Sequence, residues 1–484
     1  MPKIIDKAEL YAGRRGIISG GKLYSYNDIL QRSHSIASVI LDSKSDLAET
    51  CVAFMVSPGF EYVATQWAIW RAGGVAVPLC ITYPPPSLLY VIENVEAPMV
   101  VVAREYQSIV EPLTKPKGIQ LIVLEDLAEH ITLSQFPTIR SERKAMILYT
   151  SGTTSLPKGV VTTHKNIEAQ VVSLVDAWKW TGSDHILCVL PLHHVHGVIN
   201  IICCALWSGA TVEFAHPFAS DAVFDVFAKG EVNVFMAVPT IYFKLVSHWE
   251  SLDEMKRADA TKILSKFRLM VSGSAALPVS IMEKWKAISN QTLLERYGMT
   301  EIGMAISNPY TGERKPGYIG QPLPGVAVRL VDGEIQIKGD NVFQEYWKSP
   351  EATAKAFTAD GWFRTGDVAV VEDGYYRILG RDSVDIIKSG GYKISALEIE
   401  EVLRTHPLVT DCSVVGLADE EWGELVAAAL IVRDKTLDVK ELSNWLQQTM
   451  PAYKTPRRFV VVKELPRNAM GKIVKNDVKK FFQR

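Results

Sequence analysis

The most informative stretch of the chain is a hydroxyl-rich loop, Tyr149-Thr150-Ser151-Gly152-Thr153-Thr154-Ser155-Leu156-Pro157-Lys158-Gly159. It directly follows Met146–Tyr149, an apolar run with the length of a buried strand. Its Ser and Thr hydroxyls and unencumbered backbone N–H groups can bind phosphate oxygens, and Lys158 adds a point charge. The order differs from a Walker A loop, because the lysine precedes the second glycine and no Ser or Thr follows it. A flexible surface loop is the alternative, but so many hydroxyls after a core strand favour phosphate binding.

Around this loop, apolar runs of strand length alternate with stretches of helical periodicity. Between residues 145 and 310 the predicted strands are Met146–Tyr149, His185–Leu190, Val232–Val238 and Leu269–Val271, and the predicted helices are Asn166–Trp178, Gly197–Ser208 and Val279–Ile288. The N-terminal stretch shows the same alternation, with predicted helices at Tyr26–Asp42 and Tyr62–Ala72 and predicted strands at Val52–Val56 and Val75–Leu79. Such alternation predicts parallel sheets covered by helices on both faces.

The alternation of strands and helices ends near residue 310. Glycines and prolines punctuate short polar strands between Tyr318 and Leu379, which predicts an antiparallel sheet or a small barrel. Beyond residue 380 the pattern is compact α+β, with helices at Ala396–Arg404 and Val439–Met450 and strands at Cys412–Val415, Val426–Val432 and Phe459–Val462. We therefore expect a domain over residues 1–380, made of two parallel-sheet α/β subdomains and a small β-barrel-like subdomain. A small, mobile α+β domain is expected over residues 381–484.

Composition limits the partners and the location of the protein. The 484 residues carry a formal net charge of −2, so bulk charge attracts neither nucleic acid nor an anionic membrane. The six cysteines form no C-x-x-C pair, which argues against a disulfide framework or a zinc site. The longest apolar run, Val198–Trp207, is too short to span a bilayer, and Met1–Tyr11 lacks the apolar core of a signal peptide. We expect a cytoplasmic protein with no membrane span and no obligatory protein partner.

Further motifs extend the pattern along the chain. The string from Thr150 to Gly159 resembles the signature of the adenylate-forming superfamily, which contains acyl-CoA synthetases, peptide-synthetase adenylation domains and luciferases. Four more matches follow in the same order: Tyr297-Gly298-Met299-Thr300-Glu301, Thr365-Gly366-Asp367, Gly380-Arg381 and Pro466-Arg467-Asn468-Ala469-Met470-Gly471-Lys472. Because all of them stay in register over most of the chain, the sequence is identified as a member of this superfamily.

The resemblance implies a first step in which a carboxylate attacks the α-phosphorus of ATP, releasing pyrophosphate and leaving an acyl-adenylate. The implied ATP-binding residues are Thr150, Ser151, Gly152, Thr153, Thr154, Ser155, Leu156, Pro157 and Lys158 for the β- and γ-phosphates, Gly273, Ser274, Ala275 and Tyr297 for adenosine, and Asp367 and Arg381 for the ribose. Thr300 would contact the α-phosphate, Glu301 would hold Mg²⁺, and Lys472 would bridge the substrate carboxylate and the α-phosphate.

In the implied second step a thiol attacks the adenylate carbonyl after the small domain rotates. The hinge falls at Asp382-Ser383, although the spacing to the following glycines is one residue longer than in many relatives, so the hinge residue stays open. Rotation would replace Lys472 with a glycine-rich face made of Ser389, Gly390, Gly391 and Lys393. The chain ends twelve residues after Lys472, which leaves no room for a carrier domain, and coenzyme A is the implied acceptor.

Two features bear on the acid. The segment Leu192-His193-His194-Val195-His196-Gly197 lies where the superfamily places one wall of its acyl pocket, and Arg296 immediately precedes Tyr297. A buried guanidinium beside an apolar acyl tail would cost several kcal/mol, whereas the distal carboxylate of a short diacid could bind it with two hydrogen bonds. The combination resembles malonyl-CoA synthetases. It implies that His196 and Arg296 bind the acid, and His194 could gate the path of the carboxylate.

Alternatives stay open at this point. Arg296 could pair with Glu295 or another protein carboxylate, and the histidines could satisfy hydrogen bonds in the core. Malonate is favoured, with methylmalonate and succinate open, and another short or aromatic acid is the alternative within the superfamily. In a different class, the chain could be an ATPase or a nucleotide-binding regulatory module without acyl transfer. The position of Lys158 argues against a P-loop ATPase, and the motif around Lys472 argues against a pure binding module.

Overall fold

Two large, mostly parallel sheets make up the N-terminal part of this computed structural model, which describes residues 1–127, 135–150, 157–433, 437–468 and 471–483. The first sheet has nine strands in the spatial order Gln321–Pro322, Gly303–Ser307, Leu294–Met299, Leu269–Ser272, Val234–Ala237, His185–Cys188, Thr211–Phe214, Arg15–Ser19 and Lys22–Ser25. The central strands run parallel, and antiparallel strands close both edges. The strands of the parallel core are almost wholly buried, as the apolar runs predict.

The second sheet has seven strands, in the order Glu345–Tyr346, Lys158–Thr163, Lys144–Thr150, Val75–Pro78, Cys51–Met55, Met99–Val102 and Gln120–Val123. Lys144–Thr150 pairs in parallel with Val75–Pro78, so it belongs to this sheet and not to the first sheet, which contains His185–Cys188 and the parallel strands after it. The hairpin partner Lys158–Thr163 runs antiparallel to it. The largest apolar core lies between the two sheets and contains Phe54, Trp67 and Phe235.

Helices cover both sheets, as predicted. In the N-terminal part they are Lys3–Glu9, Tyr26–Leu41, Phe60–Arg71, Pro85–Asn94, Arg104–Thr114, His164–Ala177, Cys204–Trp207, Ser220–Ala228, Pro239–Ser251, Glu254–Leu264, Val279–Ser289 and Pro350–Ala356. A capping box starts His164–Ala177: the Thr163 hydroxyl accepts from Asn166 N–H at 3.1 Å, and Asn166 Oδ1 accepts from Thr163 N–H at 2.8 Å. In the part of the chain that the structure describes, no helix is long and apolar enough to cross a membrane.

The predicted α-helix over Gly197–Ser208 has a different form. The chain makes a π-helix over His196–Cys203 and continues as a short α-helix over Cys204–Trp207. Every residue of the π-helix is buried. Val198–Cys203 has a single polar residue, Asn200, which is buried as well, so no polar face reveals the helical period and the sequence could not separate the two helix types. π-Helical turns occur often at functional sites, and this one begins at His196.

Two smaller sheets complete the chain. The third is the predicted antiparallel sheet, with strands Val326–Val331, Glu334–Gly339, Phe363–Glu372 and Tyr375–Arg381 in sequential order. The fourth has strands Tyr392–Ser395, Ile386–Ser389, Gly423–Val432, Val409–Asp419 and Arg458–Val461, with helices Ala396–Thr405, Val439–Thr449 and Lys475–Lys479. The boundary that the sequence predicts after residue 380 falls at the change from the third sheet to the fourth, and the mobility of the small domain stays a prediction.

A buried ion pair joins two strands at the amino edge of the first sheet. Arg268 Nε and Nη2 each donate to Asp184 at 2.5 Å, and Asp184 is fully buried. Asp184 also accepts from Thr181 N–H at 2.7 Å, and Arg268 Nη1 donates to Trp178 O at 3.0 Å. Both charges are therefore compensated inside the protein.

Replacing Asp184 tests how much this ion pair stabilises the first sheet. We expect Asp184→Asn to lower the free energy of unfolding by about 1–3 kcal/mol, because it leaves Arg268, whose side chain is 20% exposed, without a counter-charge. The control is Asp176→Asn, which removes a surface pair with Lys179 and should cost about 1 kcal/mol or less. Urea unfolding measures both, and equal small losses would contradict the interpretation.

Candidate active site

The candidate site lies at the carboxyl ends of the parallel strands of the first sheet, the edge where open α/β sheets bind ligands. Leu269–Ser272 is followed there by Gly273-Ser274-Ala275, and Leu294–Met299 is followed by Thr300-Glu301. The segment that follows His185–Cys188 carries the predicted histidines to the same edge. Parallel pairing of these strands therefore brings together motifs that are about one hundred residues apart in sequence.

Arg296 is the central charge of the site. It is 3% exposed, and a Cβ atom at Gly273 would lie 2.5 Å from its Cζ atom, so only glycine lets the guanidinium pack against the backbone there. Among the described residues, Arg296 Nε and Nη2 have no hydrogen-bond partner. These two atoms form the side of the guanidinium whose parallel N–H groups match the two oxygens of a carboxylate. Burial lowers the pKa of Arg296.

The alternative ion pair between Arg296 and Glu295 does not form in the described structure. Neighbouring residues of a strand point to opposite faces, and Glu295 Oε1 accepts from Leu277 N–H at 3.0 Å. Burial raises the pKa of Glu295 to about 8, so this carboxyl is protonated at neutral pH and offers little counter-charge. The buried guanidinium is thus left for a ligand.

His196 lies beside Arg296. Its Nδ1 atom is 3.1 Å from the hydroxyl of Ser274, and its Nε2 atom is buried without a partner in the described structure. Ser274 has a φ of 72°, a conformation that costs a non-glycine residue energy and is often retained at functional sites. Burial and then the Arg296 charge lower the pKa of His196 well below its usual value. His196 is therefore neutral at neutral pH and contributes a hydrogen bond rather than a charge.

The other two histidines of the cluster form a pair. The rings of His193 and His194 lie 4.1 Å apart between centroids, and His193 also contacts Tyr83. Burial lowers the pKa of His193 to about 3 and that of His194 to about 4, so both are neutral at neutral pH. The three histidines therefore add no positive charge to the pocket. The role of His194 as a gate stays a prediction.

Two of the predicted nucleotide residues, Tyr297 and Arg381, contact a third, Asp367. Its Oδ2 atom accepts from the Tyr297 hydroxyl at 2.7 Å, and its Oδ1 atom accepts from Arg381 Nε at 2.8 Å. Asp367 and Arg381 face each other on the antiparallel strands Phe363–Glu372 and Tyr375–Arg381. The structure thus joins three residues that the sequence assigned separately to adenosine and ribose. The stacking of the Tyr297 ring on adenine stays a prediction.

A second set of contacts, through Tyr346, links Lys158 of the hydroxyl-rich loop to Glu301. Glu301 is buried, its Oε1 atom accepts from the Tyr346 hydroxyl at 2.9 Å, and burial raises its pKa. Lys158 Nζ lies 5.2 Å from the centroid of the Tyr346 ring. The sequence analysis missed Tyr346, because its place depends on pairing between Glu345–Tyr346 and the distant strand Lys158–Thr163. A tyrosine in a two-residue strand carries no local signal of this role.

The structure describes the hydroxyl-rich loop, Tyr149–Gly159, only in part. Ser151, Gly152, Thr153, Thr154, Ser155 and Leu156 lie outside the described residues. At its two ends, the Thr150 hydroxyl donates to Lys158 O at 3.5 Å and Pro157 O accepts from the Tyr90 hydroxyl at 3.0 Å. The strands of the hairpin therefore place Thr150 and Lys158 next to each other, at the carboxyl end of Lys144–Thr150.

Glu301 is the side chain that fits a magnesium ion. Within the described ranges no group of three or more His, Cys, Asp or Glu side chains could hold a metal. Mg²⁺ commonly takes one or two carboxylates and completes its coordination with substrate phosphates and water. A single buried carboxylate near Lys158 and Tyr346 suits an ion that arrives with a nucleotide.

The turn that carries Arg467, Asn468, Gly471 and Lys472 is called the Lys472 loop here. The small domain presents this loop to the site, and its glycine-rich face lies elsewhere. Gly471 has a φ of 75°, and a Cβ atom there would lie 3.0 Å from the Thr240 hydroxyl, which follows the first-sheet strand Val234–Ala237. The glycine-rich hairpin of Ser389, Gly390, Gly391 and Lys393 has its described contacts within the small domain, where Gly390 N–H donates to Trp422 O at 2.9 Å. At the predicted hinge, Asp382 N–H donates to Gly366 O at 3.0 Å, and Ser383 lies in the turn that follows.

Comparison with known proteins agrees with this arrangement. Residues 5–347 match the AMP-binding enzyme family, and residues 398–472 match the AMP-binding enzyme C-terminal domain. The malonate–CoA ligase ACSF3, mitochondrial, of Xenopus laevis is 42% identical, over 98% of this chain and 91% of that protein. The human protein of the same name is 41% identical, over 99% of this chain and 92% of that protein.

Solved structures resemble this chain over nearly its whole length. The structure of ATP-bound MatB from Rhodopseudomonas palustris superposes with a TM-score of 0.90 at 29% identity, covering 100% of this chain and 99% of that chain. A malonyl-CoA ligase ternary product complex with methylmalonyl-CoA and AMP bound gives 0.69 at 32% identity, covering 94% of this chain and 97% of that chain. Of these two structures, the ATP-bound protein has the higher TM-score.

The lack of a partner for Arg296 has a measurable consequence for stability. We expect Arg296→Met to raise the free energy of unfolding of the ligand-free protein by about 1–3 kcal/mol, because it removes buried donors that have no acceptor. The matched control is Arg268→Met, which should destabilise because it leaves Asp184 unpaired. Urea unfolding without substrates gives both values. Equal destabilisation by the two variants would mean that Arg296 has a partner within the protein.

Proposed function

The chain belongs to the family of AMP-binding enzymes, and from this premise we propose that it is an ATP-dependent malonate–CoA ligase. The observation that carries the proposal is the buried Arg296 guanidinium, whose Nε and Nη2 atoms have no partner in the described structure. The full-length relatives named malonate–CoA ligases support the same substrate. The overall reaction converts malonate, ATP and CoA into malonyl-CoA, AMP and pyrophosphate.

The first step forms malonyl-adenylate. An oxygen of one malonate carboxylate attacks the α-phosphorus of ATP, a new oxygen–phosphorus bond forms, and pyrophosphate departs with the electrons of the broken bond. The distal carboxylate accepts two hydrogen bonds from Arg296, and His196 Nε2 is free to complete its contacts. Because the buried guanidinium lies against the backbone at Gly273, a malonate bound to it would have its reacting carboxylate at a defined distance from Arg296.

This geometry favours a short diacid. A monocarboxylic acid would leave the Arg296 charge buried and unpaired, which costs several kcal/mol of binding. A diacid longer by one methylene would displace its reacting carboxylate from the α-phosphate. Methylmalonate keeps the spacing between its two carboxylates and is the second candidate substrate. A ligase for an aromatic or fatty acid is disfavoured, because no part of such an acid would compensate Arg296.

The nucleotide binds next to Tyr297, which follows Arg296 on the strand Leu294–Met299. Tyr297 and Arg381 orient the Asp367 carboxylate, which keeps unshared lone pairs that can accept from the ribose hydroxyls. Thr150 and Lys158 would bind the β- and γ-phosphates, and Thr300 would contact the α-phosphate. Glu301 would hold Mg²⁺, which when bound neutralises phosphate charge. Tyr346 orients the Glu301 carboxylate for that role.

Thioester formation needs the second face of the small domain. The CoA thiolate attacks the carbonyl carbon of malonyl-adenylate, a carbon–sulfur bond forms, and AMP leaves with its phosphate oxygen. For this step, Lys472 would withdraw and Ser389, Gly390, Gly391 and Lys393 would approach the site. The hinge at Asp382 and Ser383 stays a prediction, and so does the cytoplasmic location; the vertebrate relatives carry the word mitochondrial in their names.

A panel of acids tests the proposal. Malonate, methylmalonate, succinate and acetate are each incubated with ATP, with and without CoA, and AMP, ADP and acyl-CoA are measured. We expect CoA-dependent AMP release with malonate, and kcat/KM at least about 100-fold lower for acetate, which leaves the pocket cation unpaired. Formation of ADP and phosphate would support an ATPase instead. Equal turnover of acetate and malonate would exclude the diacid pocket.

A further inference from the structure

A buried ion cluster lies next to the Lys472 loop on the small domain. Lys475 Nζ is 2.8 Å from Asp385 Oδ1 and 3.0 Å from Glu400 Oε1, and the side chains of all three residues are almost fully buried. Lys475 begins the helix Lys475–Lys479, three residues after Lys472. The cluster therefore fixes the chain on the carboxyl side of the catalytic lysine.

Asp385 connects this cluster to the predicted hinge. Its Oδ2 atom accepts from Arg381 N–H at 3.1 Å, and its own N–H donates to Arg381 O at 2.7 Å. A Cβ atom at Gly380, which has a φ of 132°, would lie 2.4 Å from the Asp385 Cβ. Asp385 thus lies against the last residues of the third sheet. Through Asp385, Lys475 ties the Lys472 loop to the end of the large domain.

A second set of contacts fixes the amino side of the loop. Arg467 Nη1 donates to Gly471 O at 2.7 Å, and Arg467 Nη2 donates to Asp411 Oδ2 at 2.6 Å. Arg404 lies 3.5 Å from both Asp411 and Glu400, so the charges alternate from Arg467 back to the Lys475 cluster. The carbonyl that Arg467 holds belongs to the residue directly before Lys472.

We propose that Lys475 and Arg467 are positioning residues that hold the Lys472 loop in the orientation that adenylation requires. Lys472 is exposed and has a long flexible stem, so the backbone of its loop determines where its ammonium group can reach. Displacement of a reacting group by about 1 Å can cost roughly 100-fold in rate. The contact between Gly471 and Thr240 then seats the fixed loop at the carboxyl edge of the first sheet. The proposal rests on the function proposed above, because it acts through Lys472.

Separate half-reactions test the proposal. Adenylation is measured as malonate-dependent exchange of pyrophosphate into ATP, and thioester formation as CoA-dependent consumption of chemically prepared malonyl-adenylate. We expect Arg467→Ala to lower exchange by about 10- to 100-fold and to change thioester formation by less than about threefold. Lys475→Gln should have the same selectivity, and Lys475→Arg should restore exchange in part. The control is Lys480→Ala, which removes an exposed pair with Asp477 near the same helix and should leave both half-reactions unchanged.

A double-mutant cycle separates positioning from a general structural role. In a Lys472→Ala background, Arg467→Ala should have no further effect on exchange, because the residue through which it acts is already gone. The same loss in both backgrounds, or equal losses in the two half-reactions, would overturn the proposal. If Lys475→Gln does not fold, the Arg467 variants decide the question, since the Arg467 side chain is about one-third exposed. Wild-type protein that shows no malonate-dependent exchange would instead refute the proposed function.

Discussion

The rest of the site depends on one buried cation that the protein leaves without a counter-charge. Arg296 packs on the backbone of Gly273, and its neighbour Glu295 faces away and is protonated at neutral pH. The nearby His196 is neutral as well, so nothing described in the protein compensates the guanidinium. Such an arrangement is unfavourable for folding, and it is retained where a ligand supplies the missing charge. The formal net charge of −2 gives no hint of this, because the effect depends on the placement of one charge.

In the proposed function, one strand contributes residues to the binding of both the acid and the nucleotide. On Leu294–Met299, Arg296 lies against Gly273 in the acyl pocket, and the next residue, Tyr297, reaches Asp367 on the third sheet. The small domain adds the Lys472 loop to the same edge, where Gly471 lies close to the Thr240 hydroxyl.

Much of the fold and site could be predicted from the sequence, because the signals are local. The motif residues Asp367, Arg381 and Glu301 are recognised by their immediate neighbours in the chain. Tyr346 and Lys475 could not be predicted in the same way, since their roles depend on contacts with distant segments. The assignment of Lys144–Thr150 to the second sheet likewise depends on strand pairing rather than on composition. The π-helix at His196 was missed because Val198–Cys203 is apolar except for the buried Asn200, so no polar face shows the helical period.

In the proposed function, Arg296 recognises the second negative charge of the acid. The direct measurement is kcat/KM for malonate against its monoamide, malonamate, which keeps nearly the shape of the acid but has no distal charge. The wild-type protein should prefer malonate by about 100-fold or more, and Arg296→Met should abolish the preference. An equal preference in both proteins would contradict the account, because the second carboxylate would then be recognised elsewhere.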